Sequence, residues 1–251
     1  MPVEDEQFAS ARGRNIAGLG ADGDLKKFSR AWQVEAAKHD YIYNFSWLGR
    51  PIIQLPQDVF AMQELIWSVQ PDLIIETGIA HGGSLVFSAS MLELNAACGG
   101  PQDAQVLGID IDIRAHNRAA IEAHPMFKRI EMIKGSSIAP EIIEQVHAAA
   151  KRRQRVLVCL DSNHTHDHVL AELNAYAPLT SAGSYCVVFD TAIEEAPVEM
   201  FADRSWGPGN NPKTAVWEFL KTDDRFEIDH SISNKLLITV APGGYLRRIK
   251  E

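Results

Sequence analysis

Leu73-Ile74-Ile75-Glu76-Thr77-Gly78-Ile79-Ala80-His81-Gly82-Gly83-Ser84 decides how the chain is read. A short apolar run that does not alternate with polar residues is the pattern of a strand buried on both faces, as in a parallel sheet. It stops at a glycine-rich turn, and helical spacing follows. Gly78, Gly82 and Gly83 let the backbone turn sharply and bring a ligand close to the main chain. A dinucleotide fingerprint needs glycine at position 80, where Ala80 stands. Such a site also leaves its helix N-terminus open to a pyrophosphate, whereas Glu76 puts a carboxylate at the strand end. An acid there suits a ligand with an ammonium group. S-adenosylmethionine, with an amino-acid end and a sulfonium, is such a ligand.

Working outward, QVLGID (105–110), RIEMIK (129–134), RVLVCL (155–160) and SYCVVFD (184–190) repeat the buried-strand pattern. Helical segments at about 83–96, 114–124, 139–153 and 166–176 separate them. Strands alternating with helices make a doubly wound α/β sheet with right-handed crossovers. The tail differs: RFEIDH (225–230) and KLLITV (235–240) are joined by only SISN. So short a link cannot cross over, so an antiparallel pair is expected there. Upstream, Asp24 is expected to cap a helix, and residues 1–23, with four glycines, to be irregular or ordered by a partner subunit. Residues 41–55 read as an aromatic linking wall, and Pro56 opens a helix to Gln70. The chain thus divides into an accessory or oligomerisation segment, 1–54, and a main domain, 55–251.

At 251 residues the chain holds one or two domains of roughly 150 residues each. Hydrophobic residues at 46% and charged residues at 23% exclude a disordered or collagen-like chain. A net charge of −9 repels phosphate backbones and anionic membranes, so nucleic acid and membrane are not expected partners. No apolar run approaches the ~18 residues of a span, and the acidic start MPVEDEQFAS has no secretion signal. Cys98, Cys159 and Cys186 form neither a disulfide framework nor a CxxC pair, which points to a reducing cytoplasm.

The later strand ends carry the remaining chemistry. Asp110, with Asp112 as second choice, is an acid placed to accept from ribose hydroxyls. Ser136 and Ser137 follow the third strand and can line an adenine edge. Asp161 and Asp190 close the fourth and fifth strands, and two neighbouring carboxylates can hold a hard cation such as Mg²⁺. His164 is placed to take a proton from a substrate hydroxyl near neutral pH. The run His164, His166, Asp167, His168 permits a rival, a zinc-type hydrolase, since imidazole favours zinc.

Together IIETGIAHGGS, VLGIDIDIR, the GSS turn, LDSNH and WGPGNNPKTAVWEFL resemble the cephalosporin hydroxylase/rhamnosyl O-methyltransferase family over about residues 40–250. These are class I S-adenosylmethionine-dependent methyltransferases. The resemblance implies a Rossmann-like seven-stranded sheet with an antiparallel last strand, here preceded by an N-terminal helical segment. It implies S-adenosylmethionine bound beside Mg²⁺, and O-methylation of glycosidic or nucleotide-linked sugars, as in antibiotic biosynthesis. Glu76, Thr77, Gly78, Gly82 and Ser84 would then surround the methionine part and Asp110 the ribose. Asp161 would touch both cofactor and metal, and His164 would be the general base. One position departs: Phe189-Asp190 stands where the family has Glu-Asp, which removes a ligand oxygen and leaves a catalytically inactive cofactor binder as an alternative.

Residues 196–212 have the composition of a lid over the acceptor. Trp206, Asn210 and Tyr43 are the acceptor-binding candidates, while Asn211 before Pro212 reads as a helix cap. A homo-oligomer is expected.

Overall fold

The structure, a computed structural model, describes residues 5–251. In chain order the elements are α1 (Glu6–Ala21), α2 (Gly23–Ala37), β1 (Phe45–Trp47), β2 (Arg50–Ile52), α3 (Pro56–Val69), β3 (Leu73–Thr77), α4 (Gly83–Ala97), β4 (Gln105–Asp110), α5 (Ala115–Glu122) and β5 (Ile130–Lys134). There follow α6 (Pro140–Ala150), β6 (Val156–Leu160), α7 (His166–Tyr176), β7 (Tyr185–Val188), α8 (Pro212–Thr222), β8 (Phe226–Ile228), α9 (His230–Leu236) and β9 (Tyr245–Arg248).

Seven strands form one sheet in the order β5-β4-β3-β6-β7-β9-β8. The first five in that order run parallel, and β9 is antiparallel to both β7 and β8. Alternate residues of the central strands β3 and β6 feed opposite cores: Ile74 and Leu157 pack on one face, Leu73, Ile75, Val156 and Val158 on the other, which is why their runs are apolar. β5 departs from the expectation of burial on both faces, because it lies at the sheet's edge and leaves Glu131 and Lys134 exposed. The chain places β4 on one side of β3 and β6 on the other. The crevice beyond the carboxyl ends of β3 and β6 is therefore where the strand order reverses, the place where open α/β sheets bind ligands.

The tail corrects one expectation. Residues 235–240 are not a strand. Asp229 accepts from the Ser231 N–H and caps α9, which takes up the SISN link and runs to Leu236. The buried Asp58 carboxylate then accepts from Thr239 Oγ1 and from the Val240 N–H, tying this stretch to α3 instead of to the sheet. The place beside β7 goes to Tyr245–Arg248.

The amino-terminal arm is also more regular than expected. Asp5 accepts from Gln7 and Phe8 N–H groups to start α1, which packs on α9, and Asp22, not Asp24, caps α2. Residues 45–52 make a hairpin seated on α4, where Trp47 donates to Ser90 Oγ at 2.9 Å and stacks edge-on to Phe87. Gly83 permits this seat: a Cβ there would lie 2.1 Å from the Pro51 carbonyl oxygen.

Candidate active site

The turn after β3 is built around Gly78, whose φ is +92° and whose missing Cβ would stand 2.0 Å from the Asp161 carbonyl oxygen. Only glycine allows the turn to close against the end of β6. Thr77 is buried beside it, and its carbonyl accepts from the Asp161 N–H at 3.0 Å. Glu76 is buried, and Ser84 Oγ donates to its Oε1. Burial pushes the Glu76 carboxyl up to about 7, against the pull of the Ser84 bond.

Asp110 faces this turn. Its Oδ2 accepts from the Ile79 N–H at 2.8 Å and the Ala80 N–H at 3.2 Å, and its Oδ1 from the Asp112 N–H at 2.9 Å. Asp112 is exposed, with Lys134 Nζ at 3.9 Å. Two residues not anticipated from sequence brace the turn from behind. Arg50 Nη2 donates to the His81 carbonyl and to Asn117 Oδ1, and Asn117 Nδ2 donates to the Ala80 carbonyl at 2.9 Å. His81 thus contributes a carbonyl that receives Arg50.

Asp161, His164 and Asp190 come together from the turns after β6 and β7. One ligand-type atom from each lies within 4.8 Å of the other two, and His164 Nε2 is 3.6 Å from Asp190 Oδ2. Burial, and then the charge of Asp190 and Glu76, holds the Asp161 carboxyl well above the usual carboxylate range. Phe189 is buried in the core and lines a small cavity together with Glu76 and Asp161, and its ring offers no ligand atom to this group. The imidazole at 164 is the third member instead.

The other histidines go elsewhere, which corrects the zinc-hydrolase alternative. His166 Nδ1 meets Thr214 Oγ1 at 2.8 Å and its Nε2 lies 3.3 Å from Glu218. His168 Nε2 faces Ser137 Oγ at 3.1 Å, Ser162 Oγ at 3.2 Å and Glu172. Among the described residues the group close enough to hold an ion joins His164 to Asp161 and Asp190, and includes neither His166 nor His168. Ser137 is buried in that network, and Tyr176 donates to its carbonyl. Ser136 precedes it in the same turn.

Two spaces adjoin these groups. One, about 20 Å³, lies among Gln54, Asp58, Glu76, Ser84, Asp161 and Phe189, and among the described residues no Lys or Arg lines it. The other, about 580 Å³, borders Asp190 and is walled by Trp32, Tyr41, Tyr43, Met200 and Trp217 among others. Tyr43 lines this cavity, whereas Trp206 packs edge-on to His164 at 5.1 Å with Arg204 over its ring. Asn210 accepts from the His166 N–H and donates to the Ser205 carbonyl, so its polar atoms hold the loop together. Asn211 caps α8 through a full capping box with Thr214.

A sheet of this order with an acidic, glycine-rich turn at its switch point defines a class I methyltransferase. The rhamnosyl O-methyltransferase/CmcI family model matches residues 39–249, and the chain belongs to that family of S-adenosylmethionine-dependent O-methyltransferases. A rhamnosyl O-methyltransferase of Mycobacterium tuberculosis (strain ATCC 25618 / H37Rv) is 33% identical over 193 residues, 76% of this chain and 73% of the relative. The Mycobacterium leprae (strain TN) protein of the same name is 29% identical over 212 residues, 83% of this chain and 86% of the relative. Among solved structures, CmcI with magnesium and S-adenosylmethionine superposes with a TM-score of 0.56 at 19% identity, covering 83% of this chain and 78% of that one. The O-methyltransferase from Bacillus cereus in complex with SAH gives 0.55 at 16% identity, covering 91% and 92%. These structures share the fold. Among the described residues no helix is long and apolar enough to cross a membrane.

Proposed function

We propose that the chain transfers a methyl group from S-adenosylmethionine to a sugar hydroxyl, on a glycoside or nucleotide-linked sugar of natural-product or surface-glycan biosynthesis. One observation carries this reading: buried Glu76 and half-buried Asp161 stand at the sheet's switch point around a cavity that, among the described residues, no Lys or Arg lines, next to a His–Asp pair and a large, mostly apolar cavity. The relatives' own activity on rhamnosyl groups supports the sugar acceptor.

Glu76 and Asp161 supply the negative surroundings that a sulfonium amino acid needs, with Thr77, Gly78, Gly82 and Ser84 forming the turn around it. Asp110 holds that turn through two of its N–H groups, and its remaining acceptor capacity, with Asp112, serves the ribose. Ser136 and Ser137 flank the adenine. Asp161 and Asp190 suit a divalent cation, because mutual repulsion keeps them uncomfortable without one. When bound, Mg²⁺ would polarise the acceptor oxygen and favour its alkoxide.

With Nε2 of His164 turned to Asp190, Nδ1 is the nitrogen left to take the hydroxyl proton, and Asp190 then stabilises the imidazolium. Trp206 fixes the ring's orientation from its edge. Displacement at the methyl carbon is in line, so holding the acceptor still contributes much of the rate. The accessory segment 1–54 does so by walling the cavity with Trp32 and Tyr43, and the loop at 196–212 lines it at Ala196, Met200 and Phe201, with Trp206 set against His164 and Asn210 holding the loop together.

Exposed Phe8, Phe28 and Phe60 support a homo-oligomer, and three unpaired cysteines support a cytoplasmic location. The test is calorimetric titration of S-adenosylmethionine into chelator-treated protein, with and without Mg²⁺, and of NAD as control. Micromolar binding of the first and none of the second is expected; absence of S-adenosylmethionine binding in every condition refutes the reading.

A further inference from the structure

Gln54 lies between β2 and α3, contributed by the accessory segment, and is only 7% exposed. Its Nε2–H donates to Asp161 Oδ2 at 3.0 Å. The nitrogen and oxygen of an amide lie on opposite sides of its carbon, so with Nε2 on Asp161 the oxygen is turned away from that carboxyl. Oε1 is left buried with no hydrogen-bond partner among the described residues. Buried acceptors in native proteins are nearly always paired, and an orphan beside a ligand site calls for a donor on the ligand.

The cavity beside it, about 20 Å³, has room for one small polar group. Its walls are of two kinds. Ile52, Val59 and Phe87 are apolar, while Asp58, Glu76, Asp161 and the Gln54 amide are acceptors. Asp58 already accepts three hydrogen bonds, from Thr239, Val240 and Tyr245, whereas among the described residues Glu76 and Asp161 each accept one from a side chain and Gln54 Oε1 none. A small group with several N–H bonds and a positive charge meets all three, and a primary ammonium is that group. A metal ion fits less well here: His164 and Asp190 do not line this cavity, and Asp161 alone belongs to both clusters.

We propose that Gln54 Oε1 accepts a hydrogen bond from the ammonium of the cofactor's methionyl end. Gln54 is then a positioning residue that grips the cofactor with one end of its amide and orients Asp161 with the other. This rests on the S-adenosylmethionine reading above. It also gives the accessory segment a direct part in cofactor binding.

The test compares two ligands by calorimetry on the full chain: S-adenosylmethionine, and 5′-methylthioadenosine, which has the adenosine and the sulfur but no amino-acid end. Gln54→Met keeps the length of the side chain and removes both polar atoms. The expected result is that Gln54→Met binds S-adenosylmethionine about tenfold or more weakly, the size of a lost bond to a charged group, and 5′-methylthioadenosine within about twofold of wild type. Unchanged affinity for S-adenosylmethionine overturns the inference. So does an equal loss for both ligands, because Gln54 would then merely hold up the fold. If Gln54→Met lacks a melting transition, Gln54→Asn, which draws the amide back by one methylene, carries the same comparison. Wild-type protein that binds neither ligand sinks the cofactor reading itself, an outcome distinct from these.

Discussion

Replacing Glu76 by Gln is expected to stabilise the ligand-free protein while weakening cofactor binding. Burial raises the Glu76 carboxyl from its ordinary 4.5 to about 7. The native state thus binds the proton more tightly than the unfolded chain does, and the group destabilises the fold as pH rises. Below about pH 4 both states are protonated and the effect vanishes. Above pH 7 both are ionised, and the full cost is roughly 3 kcal/mol at 1.36 kcal/mol per pH unit. Glutamine keeps an oxygen for the Ser84 hydroxyl but has no charge to bury, so this cost disappears. Urea denaturation of wild type and Glu76→Gln at pH 5 and at pH 8, without cofactor, measures it. The variant is expected to gain about 3 kcal/mol at pH 8 and only about 1 at pH 5, while S-adenosylmethionine affinity falls at both. Parallel stability profiles, or a variant less stable than wild type at pH 8, would refute the claim that a buried, ligand-seeking carboxylate is held here at a cost to the fold.

Other residues are expected to separate binding from chemistry. His164→Ala should lower kcat by about 10²- to 10⁴-fold, the range for loss of a general base, with cofactor affinity unchanged by calorimetry. Chelation should lower turnover and Mg²⁺ should restore it in wild type but not in Asp190→Ala, as followed by methyl transfer to a sugar acceptor. Asp58→Ala strands three buried donors, Thr239 Oγ1, the Val240 N–H and Tyr245 OH, and should cost about 3–5 kcal/mol in urea denaturation.

What could be read before the fold was known followed from short-range physics. Leu73–Ile75 and Val106–Ile109 are unbroken apolar runs because each is buried on both faces, and the strand ends carry Glu76 and Asp110 because a parallel sheet presents its ligands there. The same logic placed Asp161 and Asp190 on one edge from strand periodicity alone. Gln54 left a faint trace, a lone amide inside Ile52-Ile53-Gln54-Leu55, and Arg50 another between Gly49 and Pro51.

The remainder needed contacts between residues far apart in the chain. KLLITV has a strand's composition, yet α9 takes its first two residues and Asp58, 181 residues away from Thr239, holds its end against α3. His164, His166 and His168 are nearly adjacent, yet the helix start at His166 and the packing of α7 on α8 send their rings to different partners. Gln54 meets Asp161 across 107 residues. Periodicity and glycine placement therefore determined the strands, the turn and the edge on which the chemistry lies, because these depend on neighbours in sequence. Which acids share a cavity, which imidazole faces a carboxylate and which amide is left without a partner were decided by tertiary packing, because each depends on burial that two distant segments create only when they meet.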